Sequence, residues 1–165
     1  MSIVTKTGDQ GETSLYSGER VAKANLRIDA VGALDELSAH LAGLGLESIQ
    51  EDLFVLGAAI ADSRCTEEQV ILQDELEALE KRTYEVEASL PPLMNFILPG
   101  GHVLAIQAHK ARAVCRRAER AISQVKPLPK NALAYINRLS DFLFIFARNI
   151  NHREGIEEVI WKSKK

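Results

Sequence analysis

Apolar residues recur at three- and four-residue intervals along most of the chain, the spacing of helices with one buried face. Leu26, Ala30, Val31, Leu34, Leu37, Leu41 and Leu44 predict a first helix over about Leu26–Leu46. Leu53, Leu56, Gly57 and Ile60 mark a second over about Ile49–Ala61. A third is expected to start behind Thr66, which with Gln69 has the form of a capping box. It continues through Leu72, Leu76, Leu79 and Tyr84 to about Ser89, and Pro91 and Pro92 stop it. A fourth, about His102–Val125, and a fifth, about Asn131–Asn151, are separated by Pro127 and Pro129, which cannot continue a helix. Two stretches lack this period. Residues 1–25 are rich in Gly, Thr, Ser, Lys and Asp, and residues 90–101, LPPLMNFILPGG, form a Pro- and Gly-bounded loop with an apolar centre.

The expected architecture is all-α, a five-helix antiparallel bundle. It is read as one domain over residues 1–165, with a polar N-terminal segment at 1–25, the bundle at 26–151 and a short tail at 152–165 that either pairs locally or frays.

Composition adds exclusions. The net charge of −3 gives no global field for nucleic acid or an anionic membrane, so any cationic site must be local. No run reaches the roughly 18 apolar residues of a membrane span, and the opening residues hold no apolar run of the signal-peptide kind. Cys65 and Cys115 are isolated, which suits a reducing compartment and requires no disulfide. The expectation is a cytoplasmic protein, a processed organellar matrix enzyme being equally compatible.

Five polar or aromatic groups remain as candidates. The segment Thr5-Lys6-Thr7-Gly8-Asp9-Gln10-Gly11-Glu12-Thr13-Ser14 offers glycines, hydroxyls and backbone N–H groups that can surround phosphate oxygens, with Lys6 and Lys23 as point charges. It is not a Walker A loop, and alone it reads equally well as a polar terminus. Arg112, Arg116 and Arg120 lie four apart and stack on one helix face, with Arg117 beside them. Such a ladder suits a polyphosphate, because guanidinium binds phosphate through paired contacts, but taken alone it reads more readily as a solvated face with acidic neighbours from another helix. Asn137-Arg138-Leu139-Ser140-Asp141 sits in an apolar helix and needs polar partners. Asp35 adjoins the apolar stripe of the first helix, with Arg112 a candidate partner in the same chain or a neighbour. Phe96, taken alone, reads as a core aromatic. His40, His102, His109 and His152 have no ligand spacing, no ExxH marks a di-iron site, and no nucleophile motif is present, so no metal site is expected.

The order of the blocks TKTGDQGETSLYSGERVAK, AVGALDELSAHLAG, LPPLMNFILPGG, HKARAVCRRAER and YINRLSDFLFIFAR resembles the PduO-type ATP:cob(I)alamin adenosyltransferases over nearly the whole chain. Ser38, where the family often has Asn, and Lys110 depart from its pattern. The resemblance implies an alkyl transferase that moves the 5′-deoxyadenosyl group of ATP to the cobalt of cob(I)alamin, with ATP carrying Mg²⁺. It implies a homotrimer with sites at subunit interfaces, and a reductase or flavin as electron source. An adenosylcobalamin-dependent enzyme is a further candidate partner, receiving the product. It assigns ATP contacts to Thr5, Lys6, Thr7, Gly8, Thr13, Ser14, Lys23, Arg116, Arg117, Arg120 and Asn137. It assigns the corrinoid side to Phe96, Asp35 and Arg112, the last two as an ion pair across the interface, and counts Arg116 with these three as catalytic. Two competing classes are another ATP-using enzyme, which would consume ATP without corrinoid, and a corrinoid carrier, which would bind corrinoid without consuming ATP.

Overall fold

The structure is a computed structural model and describes residues 4 and 6–163. Among them are five helices and one small hairpin. Strands β1 (Glu12–Ser14) and β2 (Arg20–Ala22) pair antiparallel, Thr13 facing Val21. Helices α1 (Leu26–Leu41), α2 (Glu47–Ala61), α3 (Gln73–Ala88), α4 (Val103–Ile122) and α5 (Ala132–Arg153) follow. Helices α4 and α5 pack on each other, α1 lies against α4 with α2 beyond it, and α3 lies against α5. No described helix is long and apolar enough to cross a membrane.

Helix α1 opens where the Asn25 side chain accepts from the Arg27 N–H at 2.9 Å, which satisfies one orphan donor of the first turn. Ala30, Leu34, Leu37 and Leu41 are its buried stripe. The helix stops five residues short of the expected Leu46. Gly43 and Gly45 adopt φ of +78° and +68°, which an α-helix cannot contain. Leu44 and Leu46 stay buried beyond its end, so the apolar period outlasts the helix. Arg27 itself is buried and donates to the Ile60 carbonyl at 2.8 Å and the Lys126 carbonyl at 3.1 Å, tying α1 to the end of α2 and to the α4–α5 turn.

The capping box expected at Thr66–Gln69 does not form. Helix α3 starts at Gln73, after Leu72 with φ +52°, and has no side-chain cap. The Gln69 carbonyl is taken by the Lys130 N–H at 2.8 Å, and Val70 bridges Lys130 in parallel. Pairing with a distant segment replaces the local cap. On α4, Ala105, Ala108, Ala111, Cys115, Ala118 and Ala121 make a buried seam of small residues that lets its neighbours approach closely. Tyr135, Ile136, Leu139, Phe142 and Leu143 of α5 fill the centre.

The 90–101 loop is held at both ends by α5. Arg148 Nη2 donates to the Pro91 carbonyl at 3.0 Å. Asn151, also buried, donates to the Gly100 carbonyl at 3.0 Å and accepts from the His102 N–H at 2.9 Å. Gly101, at φ +98°, passes so near the Asn151 amide that a Cβ would lie 2.2 Å from its oxygen, so no side chain fits there. The tail does not fray over its described part: Ile160 pairs with Ile97 of this loop.

Candidate functional site

The loop clamped this way pushes Phe96 outward. The side chain is 80% exposed, so the core reading is overturned. Its ring stands at the mouth of a hollow of about 620 Å³ between α3, α4, α5 and the loop, bordered also by Tyr84, Arg112, Arg116, Arg138 and Phe144. One wall is polar and already paired. Arg138 Nε donates to Glu80 at 2.8 Å and its Nη1 lies 3.4 Å from Asp141. These are the polar partners that 137–141 needs, one of them on α3, and Arg138, Ser140 and Asp141 border the hollow as well, which periodicity alone did not reveal.

Arg112 is half-buried in this hollow. Its Nε is shielded from solvent and has no hydrogen-bond partner among the described residues. The guanidinium carbon lies 5.8 Å from the Phe144 ring centroid. His109, one turn earlier and buried, has an equally unpaired Nδ1. Burial, with the Arg112 charge second, holds its imidazole pKa below the usual value, against a smaller opposing effect of Glu158.

Arg116 borders this hollow and a second one of about 510 Å³, formed with Arg120, Asn137, Glu119 and Ser123. Arg116 is exposed and forms no ion pair among the described residues, while Arg120 Nη1 donates to its carbonyl at 2.8 Å. Asn137 donates to Glu119 at 3.1 Å. Arg117 is not with them. It points to α1 and forms an ion pair with Glu36.

The N-terminal candidates form a separate group. Thr5 lies outside the described residues. Lys6 takes φ +57°, and the 6–11 turn is closed by Gly11 N–H to the Gly8 carbonyl at 3.3 Å. The Lys23 ammonium lies over Gly8, 3.2 Å from where a Cβ would stand, which brings Lys6, Thr7, Gly8 and Lys23 together. Arg20 was not singled out from the sequence. It bridges the Thr7 carbonyl at 3.0 Å, the Ser14 hydroxyl at 3.4 Å and Glu12 at 3.6 Å, so it stiffens this turn. Thr13 and Ser14 open onto a third hollow of about 550 Å³ with Asp35, Gly32 and Phe54. Asp35 is exposed, does not reach Arg112 and has no ion pair among the described residues. An intrachain Asp35–Arg112 pair is therefore absent.

Both cysteines are free and buried, and burial pushes the Cys115 thiol up to about 12. Among the described residues no three His, Cys, Asp or Glu side chains are placed to hold a metal.

This chain is similar to known proteins along its whole length. The family described as cobalamin adenosyltransferase matches residues 3–150. A cobalamin adenosyltransferase of Cupriavidus metallidurans is 39% identical, covering 99% of this chain and 95% of the relative. A corrinoid adenosyltransferase of Bacillus subtilis is 37% identical, covering 96% and 91%. Among solved structures, a phenylalanine-to-alanine variant of the PduO-type ATP:corrinoid adenosyltransferase from Lactobacillus reuteri, complexed with cobalamin and ATP, superposes with a TM-score of 0.90. It is 30% identical, over 98% of this chain and 100% of that one.

Proposed function

The chain belongs to the cobalamin adenosyltransferase family, and from that premise we propose that it transfers the 5′-deoxyadenosyl group of ATP to the cobalt of cob(I)alamin, releasing inorganic triphosphate. The observation that carries this reading is the position of Arg116. One guanidinium, without an ion pair among the described residues, borders both the hollow with the Phe96 ring and the hollow of Arg120 and Asn137. A corrinoid in the first and a nucleotide in the second would meet at Arg116.

In this reaction cobalt(I) is the nucleophile. Its electron pair forms the Co–C5′ bond while the C5′–O5′ pair leaves with triphosphate. No protein nucleophile or base is required. What the protein must supply is cationic stabilisation of the leaving group, through Arg116, Arg120, Lys6, Lys23 and the N–H groups of the 6–11 turn. In this reading Mg²⁺ is carried on the ATP phosphates.

Cobalt(II) must first accept an electron from a reductase or flavin. Removing its lower axial ligand makes that easier. Phe96 would cover the lower face of the ring and keep water and the dimethylbenzimidazole base away. The environment of the cobalt, rather than protein acid–base chemistry, would set the rate.

The site would be completed by a second copy in a trimer. Thr13, Ser14 and Asp35 line one hollow and Arg112 another, and neither Asp35 nor Arg112 has an ion pair among the described residues. A pair between copies would give both a partner, which the half-buried Arg112 charge needs more than the exposed Asp35 does. Arg117, held by Glu36, is left out of the nucleotide set unless that pair opens.

The test is anaerobic incubation with ATP, Mg²⁺ and chemically reduced cobalamin, followed by the visible spectrum. The expected result is ATP-dependent formation of the Co–C species with stoichiometric triphosphate. ATP consumption without corrinoid, or corrinoid binding without ATP consumption, would overturn the assignment.

A further inference from the structure

After α5 the chain turns back at Gly155, with φ +66°, and Ile156 N–H donates to the Asn151 carbonyl at 2.9 Å. It then runs alongside the Phe96 loop. Leu98 N–H donates to the Val159 carbonyl and Trp161 N–H to the Phe96 carbonyl, both at 2.8 Å, with Ile97 facing Ile160. Between the turn and this pairing, the Glu158 carboxylate takes bonds from Arg148 Nε at 2.9 and 3.1 Å. Arg148 is 5% exposed and also donates to the Pro91 carbonyl. One buried guanidinium therefore joins the returning segment, α5 and the start of the loop. The Trp161 ring meets the Phe96 ring edge-on, centroids 6.4 Å apart.

A largely exposed ring has little packing to hold it, and a loop without a helix of its own has many conformations to lose. Something other than core packing must fix Phe96. The returning segment is the element bonded to the Phe96 backbone itself.

We infer that residues 156–161 are a strap latched by the Arg148–Glu158 pair, and that Glu158 and the Trp161 main chain are positioning residues for Phe96. Glu158 does not border the Phe96 hollow; it borders a neighbouring one with His152 and Ile156. It acts through Arg148, not on a substrate. The latch stands on geometry alone, and the reason Phe96 needs fixing rests on the corrinoid reading above.

Trp161 is the only tryptophan, so its fluorescence reports the strap directly. The experiment compares wild type, Glu158→Gln and Trp161→Pro, all full-length and checked for folding by far-UV circular dichroism. Trp161→Pro removes one backbone donor on an exposed segment and leaves Arg148 paired, so it covers the case in which Glu158→Gln does not fold. Without any ligand, acrylamide quenching of Trp161 should rise at least about two-fold in Glu158→Gln. Amide exchange at Leu98 should quicken at least about ten-fold in both variants. With cob(II)alamin and ATP, electron paramagnetic resonance should show the four-coordinate species diminished in both, and no further loss when Glu158→Gln is added to Phe96→Ala. Unchanged quenching and exchange would overturn the strap. A loosened strap with a wild-type four-coordinate fraction would overturn its positioning role. A wild type that forms no such species would count against the corrinoid reading instead, and exchange at Leu98 would still decide whether the strap holds the loop.

Discussion

Arg148 and Asn151 stand one turn apart on α5 and hold opposite ends of the loop that carries Phe96, Arg148 at Pro91 and Asn151 at Gly100 and His102. Replacing Asn151 by Ala leaves a carbonyl and an N–H, both part-buried, without their partner, and each such group costs at most about 1–3 kcal/mol. Chemical denaturation should show a loss of that size. Gly101→Ala should be at least as damaging, because it combines positive φ with collision against Asn151. A Gly101→Ala variant with wild-type stability would refute the clamp.

Arg116→Ala should leave the bundle folded, since the side chain is exposed and forms no ion pair among the described residues. It should lower kcat/KM for ATP by an amount equivalent to about 2–4 kcal/mol, the usual cost of removing a charge-stabilising donor. Steady-state kinetics at saturating corrinoid measure this directly, and the variant's melting curve separates it from misfolding.

Asp35→Ala and Arg112→Ala should each weaken corrinoid binding or assembly, and their effects should not add. A double-mutant cycle read by analytical ultracentrifugation and corrinoid titration gives the coupling. Zero coupling would remove the proposed contact between copies.

Phe96→Ala should be nearly neutral for stability. A core Phe would cost about 3–5 kcal/mol on truncation, but this ring is in solvent. Activity that starts from cobalt(II) should fall much further than activity with chemically reduced cobalt(I), and parallel assays with the two corrinoid states test the difference. Equal losses in both assays would show that Phe96 acts in binding or in alkyl transfer, not in reduction.

His109 gives a pH dependence. Burial first, and then the Arg112 charge, depress its native pKa. The unfolded chain takes up a proton near the ordinary histidine value of about 6.5. Below that pH the unfolded state binds the proton more readily than the native state, so stability falls as the medium acidifies. The His109 contribution to the slope is at most about 1.4 kcal/mol per pH unit, and it ends once native His109 also protonates. Urea titrations below about pH 6.5 should show a flatter pH dependence for His109→Gln.

The five helices were legible because their buried stripes recur at helical spacing, as Ala30, Leu34, Leu37 and Leu41 show. Their ends were less so. Leu44 continues the stripe past the glycine turn that stops α1, and Thr66 lost its capping role to the Val70–Lys130 pairing, a contact made across sixty residues of chain. The β1–β2 hairpin escaped notice because strands of three residues carry almost no period. At the candidate site, the arginine ladder was legible from its four-residue spacing, but not its division: Arg116 and Arg120 share a hollow while Arg117 turns to Glu36. Phe96 taken alone reads as core, because an apolar residue's type does not say which way a clamped loop points it; only the family resemblance set it apart.

The separation of Thr13, Ser14 and Asp35 from Arg112, Arg116 and Phe96 has a consequence for inheritance. With the proposed site shared between copies, a chain damaged at Asp35 still brings a sound Arg116, and a chain damaged at Arg116 still brings a sound Asp35. Two alleles, each inactive alone, would then complement each other when expressed together. Random mixing of equal amounts would leave about one interface in four with both halves intact.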